Sequence, residues 1–413
     1  MLFNKNLTKT KNFLAIETIM LKLNDSMFKF IPLNQHGISL IKNTNNGAHM
    51  FVCGTDTYNA LCGYEPYPLK NKTLAIKNIL EFLQYVDQLM TDNTTVIIPS
   101  KEISKVFTGQ QYRAYIDILA ELEIITRVPY GDGKFFEQGK RYCQYRIHNR
   151  YRLDTPGLVI TDNFSAKKLS TDAKYPAKFE KAIRYTECDF VGAIKDEYDY
   201  YLNTGMNDNK LRKRLSRLLS LNKERSIKKG VKVNRVYTSF SNLSKVSRAH
   251  LHINGQQYHC IDIKNCQPLL LCYLLRSLGL EMDGNYLADC ENAEIYYRFI
   301  TKKKYPDKDS VKKPLYSAIY FDFKPHKKIA QKFKKLYPLT YNSIELLHSC
   351  DITMASKLQN LEASIFNCIV PKKSKYYFTL FDAIYFTHAA DIADLKKQVE
   401  EKFAIYGIVP QIA

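Results

Sequence analysis

The sequence predicts an α+β fold of more than one domain, and three observations predict it. The 413 residues are enough for two or three domains with sizeable cores. An apolar content of 45% and an aromatic content of 13% are those of a globular chain. Runs of helical period, such as LAIKNILEFLQYVDQLM at 74–90, occur alongside runs of strand character, such as KYYFTLFDAIYFT at 375–387.

The charge balance narrows the partners. The formal net charge is +20, and an excess of one sign on that scale calls for a polyanion, most simply nucleic acid. The ten cysteines include no CxxC pair, and Cys260, Cys266 and Cys272 recur at a spacing that fits no metal site. Residues 1–20 lack the clean apolar core of a secretory signal, and no apolar run is long enough to span a bilayer. A cytoplasmic protein with free thiols and no membrane partner is expected.

Residues 1–92 are mixed, with an amphipathic helix built on Ile76, Ile79, Leu80, Leu83, Val86 and Met90. No function is read from them. Residues 93–150 read as a helix after Pro99-Ser100 with Ile103 and Phe107, a second helix from Tyr112 to Leu122, and a hairpin over 127–148 with a Gly-Asp-Gly turn. Helix, helix and hairpin of this size resemble the DNA-binding winged helix of replication initiators. A purely structural subdomain has the same pattern.

Residues 151–232 read as helical and increasingly basic. In LRKRLSRLLSLNKERSIKKGVKV, Arg212, Lys213, Arg214 and Arg217 surround a stripe of Leu211, Leu215, Leu218 and Leu219. One face would pack and the other would meet solvent or backbone phosphate.

The remaining residues, 233–413, carry the chemistry. Asp262 follows the strand-like Tyr258 and Cys260, and a helix-capable run, Pro268 to Leu275, comes directly after. A carboxylate where a strand turns into a helix suits a metal ligand, although such an Asp serves more often as a turn or capping residue. Lys308, Lys312, Tyr316 and Tyr320 fall at i, i+4, i+8 and i+12, so one helix face would offer two cations and then two rings. That order suits a nucleoside triphosphate, with cations on the phosphates and rings near base and sugar. Pro314 interrupts the pattern and would kink or begin a helix. Asp382 sits among alternating apolar residues that read as a hairpin strand, preceded by the helix-capable LQNLEASIFNCIV with polar Gln359 and Glu362.

Taken in order, these segments resemble family A nucleic-acid polymerases, the class that includes DNA polymerase I and the single-subunit phage RNA polymerases. Arg235 followed by Asn242-Leu243 resembles the segment before that family's first catalytic acid, whose Arg contacts the minor groove of the primer–template. Asp262 resembles the acid of motif A, the 304–323 run resembles the fingers helix of motif B, and Asp382 resembles the acid of motif C. Fifty residues separate Asp262 from Lys312, as in the family, and seventy separate Lys312 from Asp382, which is shorter. Three positions depart from the pattern: Phe381 stands where the family has His, Phe321 where it has Gly, and Gln267 where its DNA polymerases have Glu and its phage RNA polymerases a small residue.

The resemblance implies a compact right-hand polymerase of palm, fingers and thumb, with the winged-helix-like module ahead of it. It implies two Mg²⁺ ions, or Mn²⁺ in their place, on Asp262 and Asp382, with Lys312 neutralising triphosphate charge. It implies Lys308, Lys312, Tyr316, Tyr320 and Gln267 around the nucleotide, and Arg235, Asn242, Arg212, Lys213, Arg214 and Arg217 on nucleic acid. The expected partners are a DNA primer–template, nucleoside triphosphates and accessory replication or transcription proteins. Two rivals remain open: an RNA polymerase or primase, and a non-catalytic initiator that binds origin DNA.

Overall fold

The helical period at 74–90 forms a helix over Lys72–Leu89, and its Ile76, Ile79, Leu80, Leu83 and Val86 are all buried. Each such side chain contributes about 1.5–3 kcal/mol when fully withdrawn from water. The structure is a computed structural model that describes residues 28–34, 37–38, 41, 49–65, 72–90, 95–99, 103, 112–135, 142–161, 168–222, 224–301, 303–321, 323–350 and 353–413. It is mixed α/β, with many helices and small sheets of three strands. Among the described residues no helix is long and apolar enough to cross a membrane. The chain forms two units from interleaved stretches: Met1–Lys168, Cys188–Glu224 and Asn242–Leu251 in the first, and Leu169–Glu187, Arg225–Ser241 and His252–Ala413 in the second. Region 151–232 therefore contributes to both.

In the first unit, Pro156–Thr161 is the central strand of an antiparallel sheet, between Phe28–Pro32 and His49–Gly54. A second sheet has Cys143–Ile147 between Thr95–Ile98 and Ile125–Val128. The helix Tyr112–Glu121 accompanies it, with Tyr115, Ile116 and Leu119 in the core. The expected Gly-Asp-Gly turn is present: Tyr130 N–H donates to Lys134 O at 2.8 Å, and Gly133 takes φ 77°, a left-handed conformation that suits glycine. The expected helix at Ser100 and Phe107 lies outside the described residues, although Ile103 is described and buried.

The helix Asp208–Ser220 turns its Leu211, Leu215, Leu218 and Leu219 inward, as the leucine stripe predicts. Asn207 caps it, accepting from Lys210 N at 2.9 Å. The helical reading of 151–232 is too generous, because Lys168–Thr171 and Glu224–Lys229 are strands. The helix ends at Ser220, and Glu224–Lys229 then pairs with Val236–Thr238. Alternation there buries Arg225 and Ile227 while Ser226 and Lys228 are more accessible, the period-two pattern of a strand, and Lys229 at its end is exposed as well.

The second unit is built on a sheet in which Ala383–Phe386 lies between His259–Asp262 and Tyr377–Leu380. Phe378 and Ile384 have no exposure, so the sheet is well covered. The helix Cys266–Ser277 follows the first strand and buries Leu269, Leu270, Leu271, Cys272 and Leu275 completely, which marks it as an interior helix. Met354–Phe366 packs against it, and Ile392–Ala404 contributes Leu395, Val399 and Phe403 to the core.

Candidate active site

Two chain reversals bring the candidate carboxylates together. Asp262 is the last residue of its strand and faces Ala383 across the ladder, so it lies beside the turn that holds Asp382. That turn joins Leu380 to Ala383 through Phe381 and Asp382 alone, with Phe381 at φ 60°. A non-glycine residue there carries strain of order 1–3 kcal/mol. Its neighbours hold it: the Arg235 guanidinium lies 4.8 Å from the centre of the Phe381 ring, and Tyr237 meets that ring edge-on at 5.8 Å. The strand edge at Asp262 is covered by the chain's last residues. Ala413 N–H donates to Asp262 O at 2.8 Å, and Lys264 N–H to Gln411 O at 2.9 Å. Asn265, at φ 56°, turns the chain from the strand into the interior helix.

Around this point the charges are unevenly balanced. Burial pushes the Asp382 carboxyl up to about 7, and the nearby Glu362 and Asp262 add to the rise. Glu362 is itself only 2% exposed, and burial raises it, opposed mainly by Arg235. Its Oε2 takes two partners, Arg235 at 2.6 Å and Gln267 Nε2 at 2.8 Å. Among the described residues, Glu362 Oε1, Gln267 Oε1 and both amide atoms of Asn265 are buried without a hydrogen-bond partner. Unsatisfied polar atoms gathered at one place are costly, and active sites are where such a cost persists.

The segment 303–321 supplies cations and rings, but not from one regular helical face. Asp307 and Ser310 form a capping box at the start of Lys308–Leu315. Pro314 sits inside this helix and has no N–H to donate, and a π-helix over Tyr316–Phe321 follows. The two tyrosine rings still meet edge to face at 5.4 Å, but their surroundings differ. Tyr320 is wholly buried with its hydroxyl 3.1 Å from that of Tyr286, so the expected second aromatic wall is a core ring. Tyr316 keeps partial exposure, with its hydroxyl 2.6 Å from that of Tyr296. Burial raises the Tyr316 phenol, and the charges of Cys266, Asp382 and Glu362 contribute, which puts this ring within electrostatic reach of the acids. The Lys308 and Lys312 ammonium groups lie 5.5 and 5.7 Å from the centre of the Tyr296 ring, and Lys312 also meets Asp309 at 3.4 Å.

The second unit thus brings together Asp262, Asp382, Gln267 and Arg235, with Tyr316 near them. Sequence reasoning missed Glu362 and Tyr296 as members of the set. Glu362 had a signal, an acid on an otherwise apolar helix; Tyr296 had none.

The basic stretch of the first unit is largely engaged internally. Arg212 has no exposure, donates to Tyr151 O at 2.7 Å and Asp154 O at 2.6 Å, and lies over the Tyr151 ring at 4.4 Å. The expectation that it faces phosphate is corrected: from inside, it ties its helix to the short helix Asn149–Arg152 and the bend that follows. Lys213 donates to Met90 O, and Arg214 pairs with Glu197 at 2.6 Å. Among the described residues, Arg217 donates to the backbone oxygen of the exposed Asn242 at 3.4 Å.

Among the described residues, no group of three or more His, Cys, Asp or Glu side chains is arranged to hold a metal ion. The candidate donors are the two carboxylates Asp262 and Asp382. The raised Asp382 carboxyl fits a cation, since a positive charge would relieve the repulsion that holds it up, and the donors are the hard oxygens that Mg²⁺ prefers.

No family model matches the chain, and no curated protein does. Among solved structures, it is similar to the POL domain of Pol1 from M. smegmatis, determined in complex with DNA primer-template and dNTP. The identity is 10% and the TM-score 0.35, over 53% of this chain and 54% of that one. The chain therefore matches about half the length of that structure, and the likeness is weak and extends at most to the fold.

Proposed function

We propose that this chain is a template-directed nucleotidyltransferase that synthesises DNA in phage or plasmid replication, in the cytoplasm of a bacterial or phage-infected cell. Residues 233–413 would form palm and fingers, 151–232 a thumb and 93–150 a winged-helix-like DNA-binding module. The observation that carries this reading is the meeting of Asp262 and Asp382, 120 residues apart in sequence, at one end of one sheet. Mg²⁺, with Mn²⁺ as a substitute, would be held by these two carboxylates and would supply Lewis acidity and charge neutralisation at the transferring phosphoryl group. No protein nucleophile is required, because the attacking oxygen is the primer's 3′-hydroxyl.

The chain's own groups have distinct parts in this reading. Arg235 holds Glu362 and lies over the Phe381 ring beside Asp382, so the primer–template contact expected of it gives way here to a bracing part. Gln267, five residues beyond Asp262, is anchored by Glu362 and would fill the space beneath the sugar. Lys308 and Lys312 would meet triphosphate charge that builds up in the transition state. Tyr316 would offer a wall near base and sugar. The DNA partner would be a primer–template, with accessory replication proteins beside it.

Extension of a labelled primer on a DNA template, with dNTPs or NTPs in turn, tests the reading. Extension with dNTPs supports it. Extension with NTPs alone moves the assignment to RNA polymerase, and synthesis without a primer to primase. No incorporation in either arm, with DNA still bound, leaves a non-catalytic initiator.

A further inference from the structure

At the opposite end of the same sheet lies a cleft of about 550 Å³ whose lining includes Gln256, His259, Lys373, Lys375, Tyr376 and His388. His259 faces Phe386 across the ladder, and Asp262 faces Ala383, so the cleft is three residues, about 10 Å of strand, from the carboxylate end. Two lysines and two histidines line it, and no carboxylate does among the described residues. The adjacent Lys372 is paired with Asp394 at 2.5 Å, whereas neither Lys373 nor Lys375 is in an ion pair among the described residues.

The walls are braced from inside. Asp391, 1% exposed, accepts from Lys373 N at 2.9 Å, from Ser374 N at 2.7 Å and from Ser374 Oγ at 2.6 Å. Ser374 Oγ in turn accepts from His388 N at 2.9 Å, so one buried carboxylate fixes both loops that carry the basic side chains. On a third side, Gln256 Nε2 donates to Thr387 O at 2.9 Å. The cations therefore project from a preorganised frame rather than from a loose surface.

We propose that this cleft binds the phosphodiester backbone of a polynucleotide strand, separately from the carboxylate site. Phosphate is the simplest anion for a pocket of Lys and His donors, and Tyr376 gives a base a ring to stack on. A free nucleoside triphosphate fits less well, because it travels with a divalent cation and the described lining offers no carboxylate to hold one. A backbone phosphate carries a single charge and needs only the cations present. The inference requires contact with a polynucleotide and does not rest on nucleotidyl transfer.

The test is binding of a fluorescein-labelled oligothymidylate to the full chain over a range of salt concentrations, without Mg²⁺ or nucleotides. The parent is compared with Lys373→Ala/Lys375→Ala, both exposed positions, after thermal melting shows the variant folded. Two lost backbone contacts should weaken binding and flatten the slope of log affinity against log salt by about 1.4. An unchanged slope and affinity overturn the proposal. Displacement of the oligonucleotide from the parent by MgATP, with ATP binding lost in the double variant, also overturns it by assigning the cleft to a free nucleotide. Asp382→Asn serves as the control: it should bind the strand as the parent does, whatever its effect on catalysis.

Discussion

Arg235 and Glu362, 127 residues apart in the chain, meet at 2.6 Å in a largely buried pair, and Gln267 donates to the same carboxylate oxygen. The pair ties the turn region before the first acid to the helix before the second. Removing one partner leaves the other charged and buried. Glu362→Ala should therefore destabilise the second unit by about 3–5 kcal/mol, while Glu362→Gln, which keeps the shape and an acceptor, should lose less. Urea unfolding of both variants reads the difference, and equal, small losses would show that the pair is not structural.

Gln267 is the position where sugar choice is expected to be set. A neutral Gln would be a soft barrier if it hung free, but the hydrogen bond to Glu362 holds it in place. We expect deoxynucleotides to be preferred, and Gln267→Gly to raise incorporation of NTPs relative to dNTPs on a primed DNA template. A ratio that stays at the parent value removes Gln267 from sugar selection.

Among the four basic residues of 212–217, the roles should separate. Arg212→Ala would orphan two backbone carbonyls inside the first unit and should cost about 2–5 kcal/mol of stability. Arg217→Gln should leave stability within about 0.5 kcal/mol and flatten the salt slope of DNA binding by about 1 if the side chain meets phosphate. Thermal melting with salt-titrated binding checks both, and a destabilised Arg217→Gln would contradict the division.

Asp87 gives the first unit a pH dependence of defined sign. Burial raises its carboxyl to about 7, against the charge of Arg212 and the hydrogen bonds from Tyr151 and Ser216. The folded value lies above the unfolded one, so the stabilising contribution is complete below about pH 4 and is lost as pH rises through about 7. The loss is on the order of a few kcal/mol. Asp87→Asn should flatten the stability profile between those limits, and a profile identical to the parent's would contradict the assignment.

Much of the local structure was legible in the sequence. Helical period located Lys72–Leu89 and Tyr112–Glu121, and the strand–helix change after Asp262 appeared where the apolar pattern changes. Three features were not legible, each for a physical reason. The Arg235–Glu362–Gln267 contacts join residues that only the fold brings near. The segment after Pro314 is a π-helix in which Tyr320 is wholly buried, and an i, i+4 count assumes a regular α-helix with both rings on an open face. Arg212 reads as a surface cation on a basic helix, and only packing against Tyr151 shows it turned inward.

The most direct measurement is dNTP incorporation on a primed DNA template by the parent, Asp262→Asn and Asp382→Asn, with DNA affinity measured in parallel. Each substitution keeps size and removes one anionic oxygen ligand from the sheet end where the two acids meet. Incorporation should fall to background in both variants, while DNA affinity stays near that of the parent. Parent-level incorporation by either variant would contradict the account.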